Sequence, residues 1–372
     1  MKLIHTGDLH LGKRVHEQLM LEEQSAALDF IAGLAEREHA DAVAIAGDIY
    51  DRSVPPVEAA RLFDDFITRL SEAGTAVIAV PGNHDSAERV GYAGRLLGSR
   101  NVFVTGDYCG SVPFVPVGCA DVYMLPFIRP QTAGKALGSV FPDHDSAVRA
   151  VLGSVNFRHG RRNVLVAHQF VTACGVSPER SDSETISLGG ADNVDVSAFD
   201  GFDYVALGHI HGPQRVGRES VRYSGSPLRY SFSECRHTKS VAVVELGEAG
   251  EPEVRLEPIP AVRQLYEASC RSDELPALGA KFPRDSYMHI TLTDEREVIN
   301  AIDKVREVFP NTLLLDFSRT AMAASGEARR EAVREKSVTE LFADFYEAQT
   351  GRRPGEERML LIDGVMREGG GS

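Results

Sequence analysis

TAVIAVPGNHDSAERV, residues 75–90, runs small and β-branched apolar residues into Pro81 and then Gly82, Asn83, His84 and Asp85. The apolar run reads as a buried strand. The four residues after Pro81 offer little to a core and a great deal to a metal ion or a phosphate. The same form recurs along the chain. LIHTG (3–7) ends in Asp8-Leu9-His10, and AVAIAG (42–47) ends in Asp48, with Asp51 three residues on. NVLVA (163–167) ends in His168, and DYVALG (203–208) ends in His209-Ile210-His211.

Helical patterns separate the first three runs. One lies around 23–38, with Leu28, Ile31 and Leu34 on one face. The other is PPVEAARLFDDFITRL (55–70), opened by prolines, with Leu62, Phe63, Phe66, Ile67 and Leu70 as its apolar side. This β-α-β-α-β order implies parallel strands in an α/β sheet. Further strands are expected at 102–104, 121–127, 163–167, 203–207, 240–246 and 254–259. Helices become scarce after residue 100, so the second half is expected to add strands to a two-sheet core.

In open α/β sheets, ligands bind in the crevice beyond the carboxyl ends of the strands. Five strand ends that deliver Asp, Asn and His to one edge describe a metal site. Asp-x-His and His-x-His spacings put both side chains of a pair on one side of an extended segment. Asp48 can bridge two ions about 3.5–4 Å apart, the separation of two-metal hydrolases. The donor set is nitrogen and oxygen without thiolate, which suits Mn, Mg or Fe and also admits zinc. His84 is redundant as a ligand, and an imidazole there suits stabilising phosphorane-like charge or protonating a leaving oxygen. Each part has a bland reading by itself: a lone His-x-His is common on surfaces, and Asp51 serves equally as a helix N-cap. The joint occurrence in this order carries the weight. His5, His16, His39, His144, His159, His237 and His289 receive no role.

The chain has 372 residues, 43% hydrophobic and 25% charged, which is ordinary for a soluble globular protein. Its net charge of −14 argues against a surface built to grip nucleic acid electrostatically, short of a local basic groove or a partner that supplies the field. Five cysteines without a CxxC pair suggest reduced thiols in a cytosolic protein. No apolar run approaches membrane length. Composition shifts near residue 270, where SCRSDELPALGAKFPRD (269–285) reads as a linker. YMHITLT, a helix at 295–308 and TLLLDFS form a small β-α-β unit, placed at 280–322 after a main domain at 1–272. Residues 334–368 read as a pair of apolar-faced helices, and 369–372 as a flexible linker or appended tail.

The sequence D-x-H, GD-x-x-D, GNHD, H and GH-x-H, here DLH, GDIYD, GNHD, His168 and GHIH, resembles the calcineurin-like metallophosphoesterases. Within that family HTGDLHLGKR, GDIYDRSVPP, GNHDSAER, SDSETISLGGAD, DYVALGHIHGPQ and YSGSPLRYSFSE look like the SbcD branch of bacterial nuclease subunits. Many members carry Trp where Leu9 stands. The resemblance implies a two-sheet metallophosphoesterase sandwich with flanking helices, a small α+β capping domain and a C-terminal helix pair. It implies one ion held by Asp8, His10, Asp48 and His211, and a second held by Asp48, Asn83, His168 and His209. His84 would be the catalytic histidine, with Asp51 orienting it. It further implies two Mn²⁺ ions and a 3′-to-5′ exonuclease on duplex ends that also cuts single strands and hairpins. The partners would be DNA, a second copy of the chain, and an SMC-family ATPase docked on the helix pair, in a nucleoid-associated cytoplasmic setting. The apolar helix 56–70 is a candidate for part of the dimer interface.

No G-x-x-x-x-G-K-[ST] occurs, so ATP dependence would come from the partner. Nor is there a zinc-finger or helix-turn-helix cue, which leaves DNA engaged through backbone and shape. Arg14, Arg215, Arg222 and Arg229 are the candidates for phosphate contacts. Two rival readings stand beside the nuclease: a phosphatase of the same fold, supported by Asp51-Arg52, and a tethering protein whose metals stabilise the fold. A histidine at position 84 counts against the second rival, since a purely structural site does not need it.

Overall fold

The computed structural model describes residues 1–184, 192–296, 298–318, 343, 353–355 and 358–359. Apart from those isolated positions, the helix pair expected at 334–368 lies outside the described residues, as does the tail at 369–372. The chain divides into two compact units, Met1–Glu267 with Asp285–His289, and Ala268–Arg284 with the residues from Ile290 on.

The first unit opens with β1 (Lys2–Thr6), α1 (Leu21–Glu38), β2 (Ala42–Ala46), α2 (Val57–Glu72), β3 (Ala76–Val80) and β4 (Val102–Val104). β5 (Phe114–Val117), β6 (Ala120–Leu125), α3 (Pro130–Leu137), α4 (His144–Leu152) and β7 (Arg162–His168) follow. β8 (Tyr204–Gly208), β9 (Gln214–Val216), β10 (Arg218–Tyr223), β11 (Ser240–Glu245) and β12 (Glu253–Pro258) complete it. Two six-stranded sheets result, ordered β12-β11-β1-β2-β3-β4 and β9-β10-β8-β7-β6-β5. β1, β2, β3 and β4 run parallel in the first, and β6, β7, β8 and β10 run parallel in the second. β11 returns antiparallel beside β1, which closes the first sheet with a segment almost 240 residues downstream.

The sandwich explains the composition of the strands. A sheet covered on both faces reads as a continuous apolar run, and all five residues of β2 and of β3 are buried. Between the sheets, Ala42, Ala44, Ala46, Ile78 and Val80 meet Val122, Met124, Val164, Val166 and Ala206. The small alanines let the backbones approach closely. A Cβ on Gly208 would stand 1.7 Å from the Ala46 carbonyl oxygen, so glycine is the only residue that fits there. The outer face of the second sheet buries Leu165, Val205 and Leu207 with Ala147, Val148 and Val151 of α4.

Three expectations need refining. Helices are few after residue 100, as expected, but α3 and α4, which lie between β6 and β7 in the chain, cover the second sheet. Their apolar stripes are short, at eight and nine residues, and sit in Gly- and Ser-rich sequence. The apolar side of α2 is spent inside its own unit, where Phe63, Phe66, Ile67 and Leu70 are buried. The feature that suggested a dimer interface at 56–70 therefore belongs to the core. In the second unit, residues expected to form a linker fold as α5 (Leu275–Gly279), with Leu275 buried. That unit also holds α6 (Ala301–Val308) and a three-stranded sheet ordered β13 (Leu265–Cys270), β14 (Tyr287–Leu292) and β15 (Thr312–Phe317). β13 and β14 begin in the first unit.

Candidate metal centre

Parallel strands deliver their carboxyl ends to one edge, and all five ends identified in the sequence meet there. Asp8 and His10 follow β1, Asp48 follows β2, and Asn83 and His84 follow β3. His168 ends β7, and His209 and His211 follow β8. Asp8, His10 and His211 offer ligand atoms that lie within 4.8 Å of one another, as do Asp8, Asp48 and His168. His10, Asp51 and His84 form a third such group. Asn83 Oδ1 lies 2.9 Å from His168 Nε2 and 3.0 Å from His209 Nδ1, which brings the last two expected ligands into the same cluster.

The backbone is bent to make this convergence. Asp8, His10, Asp48 and His209 all have positive φ, between 43° and 112°. Non-glycine residues in that region are uncommon and strained, and the surroundings must over-determine them. Here they do. Asp8 N donates to the Gly47 carbonyl at 3.0 Å, and His10 N to the Asp48 carbonyl at 2.9 Å. His209 N donates to Asp8 Oδ1 at 2.9 Å.

The protonation pattern tests whether cations fit. His168 Nδ1 lies 2.9 Å from the Ala46 carbonyl oxygen, which can only accept, so Nδ1 carries the proton. Burial lowers the pKa of this imidazole and keeps it neutral. Its Nε2 lone pair then faces Asn83 Oδ1 at 2.9 Å and Asp48 Oδ2 at 3.4 Å. Three acceptor atoms converge there, an arrangement suited to a positive ion at their centre. Asp8 is fully buried, and its pKa is raised well above the usual carboxylate range by burial and then by Asp48. Burial likewise drives the pKa of His10 and His209 well below the imidazole value. Among the described residues, His10 Nδ1 and His209 Nε2 are buried without a hydrogen-bond partner. A buried set of carboxylates and neutral imidazoles is a divalent-metal donor set.

His84 N donates to Asp48 Oδ1 at 2.9 Å, and His84 Nδ1 donates to the Asp51 main-chain carbonyl at 3.1 Å. Asp51 thus meets His84 through its backbone, while its carboxylate accepts from Lys13 Nζ at 2.8 Å. The proton on Nδ1 leaves the lone pair of His84 on Nε2.

Several supporting residues escaped the sequence reading. Asp85 accepts from the backbone N–H of Ile49, Tyr50 and Gly82 at 2.9–3.0 Å, and so ties the loop after β3 to the loop after β2. Burial and the neighbouring Asp48 push its pKa up to about 7. Gln24, buried in α1, donates to the His10 carbonyl at 2.7 Å and accepts from Gly12 N at 3.0 Å. The only cue to it was a polar residue beside the apolar stripe of a helix. His5, left without a role, is a core residue bound to the Tyr204 hydroxyl at 3.0 Å and the Leu207 carbonyl at 3.1 Å.

The four arginine candidates separate. Arg14 and Arg215 are exposed. Arg222 must be withdrawn as a phosphate contact: it is 6% exposed and its guanidinium is bound to Glu219. Arg229 is half-buried and donates to the His237 carbonyl at 2.8 and 3.1 Å, so its guanidinium is engaged in holding that loop.

Comparison with known proteins bears on what this centre is. Residues 261–350 match the model described as the type 5 capsule protein repressor C-terminal domain. The chain is 29% identical to the SbcD subunit of the nuclease SbcCD of Staphylococcus saprophyticus over 98% of each chain. Among solved structures it overlaps TT1561 of Thermus thermophilus, at 14% identity and a TM-score of 0.40, covering 70% of this chain and 99% of that one. It also overlaps a dimetal phosphatase from Danio rerio, at 14% identity and a TM-score of 0.38, covering 68% and 98%. Residues 1–213, more than half of the chain and the whole span of the clustered candidate ligands, match the calcineurin-like phosphoesterase model, and the chain belongs to that family.

Proposed function

We propose that the chain is the nuclease subunit of a DNA-processing complex, working with two divalent ions, most naturally Mn²⁺. Asp8, His10, Asp48 and His211 would hold one ion, and Asp48, Asn83, His168 and His209 the other. The observation that carries the reading is neutral His168, whose Nε2 lone pair faces two oxygen acceptors inside a buried cluster. Bound ions supply Lewis-acid polarisation of a phosphodiester and a nucleophile near neutral pH. The chain's own part is to hold that cluster through Asp85 and Gln24 and to present His84. With Nδ1 committed to the Asp51 carbonyl, a proton on His84 Nε2 would stabilise developing charge or pass to the departing oxygen.

The likeness to an SbcCD component over 98% of both chains supports nuclease chemistry and assembly with a second kind of subunit. For that second component we propose an SbcC-like SMC-family ATPase docked at 334–368, with 1–272 as nuclease domain and 280–322 as capping domain. The substrates would be duplex ends, cut 3′ to 5′, and single strands or hairpins, by a homodimer in DNA repair, recombination and replication. Among the described residues no helix is long and apolar enough to cross a membrane, and we place the complex in the nucleoid-associated cytoplasm.

The test compares wild type with His84→Gln on single-stranded and hairpin DNA with Mn²⁺, while bound metal is quantified. A variant that keeps its metal and loses cleavage by about 10²-fold or more supports the mechanism. Wild type that hydrolyses a phosphomonoester and no DNA overturns it in favour of a phosphatase. Full metal occupancy without turnover, alone and with the ATPase, would assign the metals a structural role.

A further inference from the structure

Every polar atom of His211 that faces away from the cluster is engaged. Its backbone N donates to Glu184 Oε1 at 2.8 Å, and its carbonyl accepts from Lys239 Nζ at 2.9 Å. Its Nδ1 lies 2.7 Å from Ser183 Oγ, and Ser183 Oγ in turn makes a short contact with Glu234 Oε1. Lys239 also binds Glu234 Oε2 and reaches Ser226 Oγ at 2.9 Å. Glu234 is fully buried and Lys239 nearly so, at 6% exposure.

The direction of each bond follows from what the atoms can do. A carboxylate accepts only, so the Ser183 hydroxyl must donate to Glu234. The hydroxyl then accepts from His211 Nδ1, which must carry a proton. His211 Nε2 is left with a lone pair, and it faces His10 Nε2 at 3.1 Å. One ammonium, Lys239, thereby fixes this histidine at two points, at its carbonyl directly and at its ring through Glu234, which reaches Nδ1 by way of Ser183 and itself lies 3.4 Å away. A buried ion pair is weak evidence for stability, because desolvating both charges offsets their attraction. Its place behind a single imidazole points to orientation instead.

We propose that Lys239, Glu234 and Ser183 form a positioning relay that sets the tautomer and direction of His211 as a metal ligand. The inference rests on the metal-centre reading above but not on nuclease activity. Such outer partners change metal affinity by about 10–100-fold in other metalloproteins.

The experiment titrates metal-free full-length protein with Mn²⁺ alone, by calorimetry, for wild type, Ser183→Ala, Ser183→Thr and Glu234→Gln. Unfolding temperature in EDTA is recorded for each. Ser183→Ala and Glu234→Gln should weaken one of two ions by about 10–100-fold and leave the other within about threefold. Ser183→Thr, which keeps the hydroxyl, should bind like wild type. Nitrogen-15 spectra of the metal-free protein should show a proton on His211 Nδ1 that loses its fixed position in Ser183→Ala. If Glu234→Gln does not fold, Ser183→Ala against Ser183→Thr decides alone. A folded Ser183→Ala that binds both ions with wild-type affinity overturns the relay, as does equal weakening by Ser183→Thr. Wild type that binds no Mn²⁺ overturns it together with the metal centre. Graded Mn²⁺ affinity in a protein that cuts no DNA keeps the relay and removes only the nuclease reading.

Discussion

Gly82→Ala is the substitution that tests how the centre is built. Gly82 lies outside the left-handed region, so alanine meets no backbone penalty there. The penalty is contact: an added Cβ would stand 2.1 Å from Asp48 Oδ1 and 2.4 Å from Asp48 N. Ordinary separation is about 3.5 Å, so the carboxylate must retreat by about 1.4 Å and the backbone by about 1.1 Å. Neither is free to do so. His10 N is bonded to the Asp48 carbonyl at 2.9 Å, and Asp48 already sits at φ +47°. Overpacking costs about 1–3 kcal/mol, and losing the bond from His84 N to Asp48 Oδ1 adds about 1 kcal/mol. The expected loss of stability in EDTA is therefore about 2–4 kcal/mol. Moving a group at a reacting centre by about 1 Å lowers turnover by about 10²-fold, and Mn²⁺ affinity should fall with it. Urea unfolding and Mn²⁺ titration measure both. Gly74→Ala is the control, since Gly74 has φ +84° with no atom of the described residues within 4 Å of its Cβ position and should lose only about 1 kcal/mol of backbone strain. Gly82→Ala with wild-type stability and wild-type Mn²⁺ affinity would refute the reasoning.

Asp51→Asn should reduce DNA cleavage far less than His84→Gln, by under about tenfold against about 10²-fold or more, because His84 is held by the Asp51 carbonyl, which asparagine retains; steady-state rates on one hairpin substrate compare them. Mn²⁺ at about 100 times its dissociation constant should stabilise the folded chain by about 2.7 kcal/mol for each ion bound, read as a rise in unfolding temperature that EDTA reverses. Burial lowers the His5 pKa to about 3 from its unfolded value near 6.5. The unfolded chain therefore binds more protons between those values, so the contribution of neutral His5 is complete above about 6.5 and is lost as pH falls toward 3. Metal-free protein should lose stability steadily below pH 6.5, and His5→Gln should flatten that slope in urea titrations at pH 4.5–7. An unchanged slope would show that His5 is protonated without penalty.

Much of the centre was legible because its candidate ligands sit at strand ends, where a buried apolar run stops and a polar residue begins. That transition is local, so GNHD, DLH and GHIH could be read from a few adjacent residues. The parallel α/β start was legible for a similar reason, since β1 to β3 and the helices between them are consecutive. The return of β11 to pair with β1 was not, because no local pattern marks a partner almost 240 residues away. The same limit hid α3 and α4, whose stripes are shorter than the window that periodicity needs.

The sequence by itself determined which residues can ligate a cation and the order in which the strands present them, because residue type and alternation are properties of neighbours in the chain. Tertiary structure alone decided what holds those ligands. Asp85 gained its role from three amides on two loops, Gln24 from the His10 carbonyl, and Glu234 and Lys239 from one buried histidine. It also took Arg222 from the surface into the interior and turned Asp51 so that its backbone meets His84. Packing brings these groups together across long stretches of chain, and the proton positions that follow depend on which acceptor each donor meets.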